Sequence, residues 1–81
     1  MRIHVKLFAI LREKAETSEM TLELAPGASA RDAGEKLAQI CPALAGHLNR
    51  VAYAVNQSYV AANAVLNDGD ELALIPPVSG G

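Results

Sequence analysis

The segment Pro76-Pro77-Val78-Ser79-Gly80-Gly81 is built to present a carboxylate on a slender stalk. Gly80 and Gly81 carry no side chains, so a narrow tunnel in a second protein can close around them while rejecting almost any other pair. The α-carboxylate of Gly81 is ionised at neutral pH, its reference pKa being about 3.5. A carboxylate is a poor acyl donor, so the chemistry this ending suggests is activation by another protein. Pro76 and Pro77 fix φ and limit the freedom the stalk gives up on insertion, as well as stopping any strand that precedes them. Fully extended, residues 77–81 span at most about 17 Å, enough to reach from a sheet edge into a buried pocket. The competing reading of such an ending is a frayed terminus without a role.

Elsewhere the reactive residue types are scattered. His4 and His47 have no Cys or Glu at metal-ligand spacing, so no zinc site is expected; they read as an outward strand residue and a loop residue. Cys41 falls on an apolar helical stripe, where a cysteine is a small core residue rather than a nucleophile. Asp68-Gly69-Asp70 reads as a hairpin turn before a cation site, and Asn56-Gln57 as turn chemistry before partner recognition. Phosphate-binding glycine loops and the Gly-x-Ser-x-Gly elbow do not occur in the sequence. The chain does not read as a self-sufficient enzyme.

The elements that must carry the stalk follow from composition and period. Of 81 residues, 51% are hydrophobic and 20% charged, a balance that supports a core without metal or disulfide. One domain is expected over residues 1–76, followed by a flexible tail over 77–81. Seven basic against nine acidic residues, with neither sign in a long block, argue against nucleic acid as a partner. Without an uninterrupted apolar stretch at the start or of membrane-spanning length, a cytoplasmic protein with no membrane contact is expected. The single cysteine agrees with a reducing compartment.

Ile3, Val5 and Leu7 alternate with His4, Lys6 and Phe8, the period of a half-buried strand. Residues 10–15 are good helix formers but few, so a single turn is expected, followed by a second strand on Met20, Leu22 and Leu24. Pro26-Gly27 breaks that strand. Ser29 and Asp32 form a capping-box pattern that opens a helix, with Ala33, Leu37, Ile40, Cys41 and Leu44 along one stripe and Pro42 closing its regular part. Gly34 inside that helix costs about 1 kcal/mol relative to alanine, which a close approach to the sheet would offset. Residues 51–55 and 58–60 read as strands joined at Asn56-Gln57. After the Asp-Gly turn signal, residues 71–75 form a last strand, expected to be central and covered. The order gives an α+β roll, a mixed sheet with one main helix across it.

Phe8-Ala9-Ile10-Leu11-Arg12-Glu13, Ala54-Val55-Asn56-Gln57, and the run from Leu66-Asn67-Asp68-Gly69-Asp70-Glu71 through Ile75 to Gly81 together resemble the small, sulfur-carrying subunits of molybdopterin synthase. The resemblance spans essentially the whole chain, and its ending is the most specific part. It implies the ubiquitin-like β-grasp fold, which agrees with the element order. It also implies that a partner adenylating enzyme uses ATP to turn the Gly81 carboxylate into an acyl-adenylate. Sulfur from a donor then replaces AMP to leave a thiocarboxylate. The charged tail, Pro76 through Gly81, would enter the large synthase subunit and give its sulfur to a pterin precursor for the dithiolene that holds molybdenum. No cofactor is expected on the chain itself.

Repeated docking with two partners calls for an exposed apolar surface near the stalk. Ile75, Val78, Phe8 and Leu74 are its candidates, with a core role the competing assignment for Phe8 and Leu74, and Arg12 and Glu13 are candidate polar contacts at its rim. Other readings are a thiamine-pathway sulfur carrier, a ubiquitin-like protein modifier and a β-grasp interaction module without transfer chemistry.

Overall fold

The computed structural model describes residues 1–77. Val78, Ser79, Gly80 and Gly81, on which the activation chemistry is expected, lie outside the described residues, as does the greater part of the expected 77–81 tail.

Five strands form one mixed sheet: β1 (Arg2–Leu7), β2 (Glu19–Glu23), β3 (Ala52–Val55), β4 (Ser58–Val60) and β5 (Glu71–Ile75), in the order β2-β1-β5-β3-β4. β1 and β5 run parallel, pairing Lys6 with Ala73 and Leu7 with Leu74, while the other three pairings are antiparallel. Two α-helices, α1 (Ala9–Ala15) and α2 (Ala30–Ile40), and a 3-10 helix (Pro42–His47) complete the fold. This is the expected α+β β-grasp roll. The segment expected to be a single turn is a seven-residue helix, ended by Glu16 at φ 58.

α2 starts at Ser29 because both halves of the capping box form: the Asp32 N–H donates to Ser29 Oγ at 3.2 Å, and the Ser29 N–H donates to Asp32 Oδ2 at 2.8 Å. The N–H groups of Ala30 and Arg31 donate to the Ala64 and Ala62 carbonyls at 2.9 and 2.8 Å, so the segment after β4 satisfies the helix's remaining free donors and fixes where it crosses the sheet. The helix ends at Ile40. Pro42 lacks the N–H that a continuing α-helix needs, and the chain tightens into the 3-10 helix that carries His47, which was expected in a loop.

The core is an aliphatic layer between sheet and helices. Ile3, Val5, Leu7, Leu72 and Leu74 point inward from β1 and β5 and meet Leu11, Ala33, Leu37 and Leu44. Each large side chain fully buried there contributes roughly 2 kcal/mol. One member of the expected helical stripe departs from it: Ile40, in the last turn of α2, is exposed. Cys41, just beyond the helix end, is half-buried and packs against the core cluster, as expected of a small core residue.

Gly34 has a packing reason. A Cβ at that position would sit 2.9 Å from the Tyr53 hydroxyl, so the bare helix backbone makes room for a ring reaching up from β3. Burial pushes the Tyr53 phenol above its ordinary value of 10.0, with nearby Arg31 opposing and Glu35 reinforcing the shift.

Candidate functional site: the open face of the sheet

Strand alternation gives the sheet a second face, opposite the one on which the described helices pack. β5 shows it most plainly: Leu72 and Leu74 are buried, while Glu71, Ala73 and Ile75 are only half-buried. The expectation of a last strand covered on both sides is therefore corrected. β5 is central in the sheet, but one of its faces is open. Leu74, offered for docking, is fully buried in the core and presents no surface. It shares the inward parity of Val5, Leu7 and Leu72.

The residues that do share the open face follow from the register. Ala73 pairs with Lys6 on one side and Ala54 on the other; Ala54 pairs in turn with Tyr59 on edge strand β4. One row across the sheet therefore reads Glu19, Lys6, Ala73, Ala54, Tyr59. The next reads Ile75 and Ala52, immediately before Pro76 and Pro77. The alanines leave a low centre, Ala73 half-buried and Ala54 buried, and Tyr59 rises at its edge, 74% exposed. Lys6 Nζ lies 3.4 Å from Glu71 Oε1, a solvent-screened ion pair at the border.

Phe8 follows β1 with extended backbone at φ −126, ψ 157, and so keeps the outward parity of Lys6. It is 43% exposed, and its competing core assignment is corrected. The chain turns sharply at Ala9, φ 49, which ends the strand and starts α1. Phe8, Lys6, Arg12, Ser18 and Glu19 line a cleft of about 210 Å³. Arg12 thus lines the same cleft as Phe8. Glu13 is exposed on α1 but is not among the residues lining the cleft.

The structure therefore gathers Ile75, Pro76, Pro77 and Phe8 with Arg12 around the end of β5, and removes Leu74 from the group. It adds Tyr59, which the sequence reading passed over. The signal was present: a two-residue turn at Asn56-Gln57 pairs Val55 with Ser58 and Ala54 with Tyr59, placing the tyrosine on the face opposite Tyr53 and Val55.

The turn is well suited to that register. Asn56 and Gln57 have φ 48 and 71, the pair of positive values a tight two-residue hairpin requires. Among the described residues, no three His, Cys, Asp or Glu are grouped to hold a metal ion, and no helix is long and apolar enough to cross a membrane. An apolar face beside a strand that ends in Pro-Pro can seat a partner and aim whatever follows Pro77 into it.

The comparisons with known proteins agree with this fold. The profile of the ThiS family matches residues 5–81. A molybdopterin synthase sulfur carrier subunit of Chlamydomonas reinhardtii is 42% identical over the full length of both chains. One from Mycobacterium tuberculosis is 38% identical, covering all of this chain and 99% of its own. Among solved structures, SAMP1, a small archaeal modifier protein from Haloferax volcanii, superposes with a TM-score of 0.90 at 31% identity over the whole of both chains. With its sheet order and these full-length matches in agreement, the chain belongs to the ThiS family and groups within it with the molybdopterin synthase sulfur carrier subunits.

Proposed function

We propose that this chain is the sulfur carrier of molybdopterin synthase and serves molybdenum cofactor biosynthesis as the small subunit. The observation that carries the reading is the end-to-end identity with sulfur carrier subunits, 42% and 38%, in a fold that places an open apolar face beside the strand leading to Gly80 and Gly81.

In this reading the Gly81 carboxylate attacks the α-phosphate of ATP in a partner adenylating enzyme, releasing pyrophosphate and forming an acyl-adenylate. A sulfur nucleophile from a donor then displaces AMP and leaves a thiocarboxylate. The open face, with Phe8, Tyr59 and Ile75 as apolar contacts and Arg12 at the rim, seats the carrier on the large synthase subunit. The tail enters with its sulfur directed at the pterin precursor. The thiocarboxylate sulfur bonds to the precursor, and water then cleaves the carbon–sulfur bond at Gly81, leaving the sulfur on the precursor and returning a plain carboxylate to be charged again. Two sulfurs enter each dithiolene, so each product consumes two charged carriers. The chain's own contribution is docking and delivery, while ATP is bound by the activating partner.

Intact-mass measurement after incubation with the adenylating enzyme, ATP and a sulfur donor tests this directly. The expected result is the mass change of one oxygen replaced by one sulfur. Deleting Gly81 should abolish that change and all transfer, with urea denaturation unaltered because no residue of the buried core is removed. An unchanged mass under conditions that charge a known carrier would overturn the reading.

The superposition on an archaeal modifier protein favours a second reading, attachment of Gly81 to lysines of other proteins. Adducts on target lysines would mark that activity, whereas accumulation of free thiocarboxylate marks the carrier.

A further inference from the structure

Asp70 is the buried charged side chain of the described residues, 9% exposed, and the sulfur-carrying reading on which this inference rests gives it no task. Its Oδ1 accepts from Asn56 Nδ2 at 3.0 Å, and its Oδ2 accepts from the Asn67 N–H at 2.8 Å. Asn56 Oδ1 in turn accepts from the Glu71 N–H at 3.1 Å, and the Asn56 N–H donates to the Glu71 carbonyl at 2.9 Å. Every oxygen and nitrogen of the two side chains is thereby engaged. They clasp the β3–β4 turn to the start of β5.

β4 is where such a clasp has an effect on docking. It is a three-residue edge strand paired with β3 alone, and it carries Tyr59, the most exposed large apolar side chain of the open face. After β4 the chain is tied to the start of α2 through the Ala62 and Ala64 carbonyls. Before β4 it is tied by the clasp. Gln57, at φ 71 with a full side chain, lies between the two ties and adds local strain to a turn that has to hold its shape.

We propose that Asn56 and Asp70 are positioning residues of the docking face, holding the β3–β4 turn so that Tyr59 stands over Ala54 at the height the large synthase subunit requires. The hydrogen-bond pattern supplies a sharp test. Asn56→Asp alone sets two carboxylates against each other at the 3.0 Å contact. Asp70→Asn alone leaves an amide NH₂ facing either Asn56 Nδ2 or the Asn67 N–H, donor against donor, whichever way it is turned. The double variant Asn56→Asp/Asp70→Asn reverses the central bond and keeps every partner: the new amide at 70 donates to the new carboxylate at 56, which still accepts from the Glu71 N–H.

Calorimetric titration of the uncharged carrier into the large synthase subunit reads the effect. Each single variant is expected to bind about 10-fold more weakly, and the double variant within about 2-fold of the natural chain. Repeated in a Tyr59→Ala background, the single changes should lose their effect, since the clasp acts through that ring. Any single variant that does not fold is replaced in the same cycle by Asn56→Ala, which removes the amide without opposing like groups. Unchanged binding in folded single variants, failure of the double variant to recover, or an equal loss with Tyr59 absent would each overturn the positioning role. No binding by the natural chain itself would instead sink the functional reading, and this inference with it.

Discussion

The two faces of one sheet differ more than any two elements of the molecule. Along β5 the side chains alternate between Leu72 and Leu74, fully buried beneath the helices, and Glu71, Ala73 and Ile75, half-covered on the other side. The inner face is aliphatic and closed. The outer face is low, mixed and rimmed by charge, with Tyr59 and Phe8 standing up at separate edges. A period of two residues lets a single strand serve folding with one set of side chains and, in the proposed function, docking with the other. Substitutions should therefore separate cleanly by parity even between adjacent positions.

The largest effect is expected from neighbours on β5. Leu74→Ala should cost about 3 kcal/mol in urea denaturation, the range for a large-to-small change in a packed core. Ile75→Ala should cost less than about 1.5 kcal/mol and weaken binding to the large subunit instead. Similar stability losses at both positions would erase the distinction between the faces. Next in size is Tyr59→Ala, expected to weaken docking by roughly 10-fold or more while changing stability by less than about 0.5 kcal/mol. Surface binding of immobilised carrier to the large subunit checks it, and an unaffected affinity would remove Tyr59 from the docking face.

Much of this division was legible beforehand. Ile3, Val5 and Leu7 announce a strand with one apolar side, Ser29 and Asp32 announce a capped helix, and Gly69, at φ 86, sits in the turn that its Asp-Gly pair signals. Which side of a strand stays open is harder to read. Phe8 and Leu74 are both large and apolar; the alternation along β1 already sets Phe8 with His4 and Lys6, but the near-continuous apolar run of β5 hides the parity of Leu74 until the register is seen. Tyr59 was missed because a three-residue strand offers too little alternation to weigh. Ile40 lies on the same apolar stripe as Leu37 and Leu44, and the period alone gives no warning that it is exposed at the end of α2.

Gly34 and Tyr53 test where the inner face ends. Gly34→Ala gains about 1 kcal/mol of helix propensity but pushes on the Tyr53 hydroxyl, so stability should change little. In a Tyr53→Phe background the oxygen is gone and the same substitution should stabilise by about 1 kcal/mol, measured by denaturation. A loss in both backgrounds would mean that the ring itself, and not its hydroxyl, fills the notch. The smallest effect is expected at high pH. Because burial raises the Tyr53 phenol above 10.0, its contribution to stability is complete below that pH and is lost as the pH rises through the folded-state value. Thermal melts of the natural chain should decline in alkali more steeply than those of Tyr53→Phe.

The parallel pairing of β1 with β5 has a mechanical consequence. β5, the strand that ends in Pro76-Pro77, is held by β1 on one flank and β3 on the other. A pull on whatever extends beyond Pro77 runs along that strand, so it loads both hydrogen-bond ladders in shear together instead of peeling them open one rung at a time. A partner that grips the end of this chain and tugs should therefore drag the whole body with it before a single strand lets go.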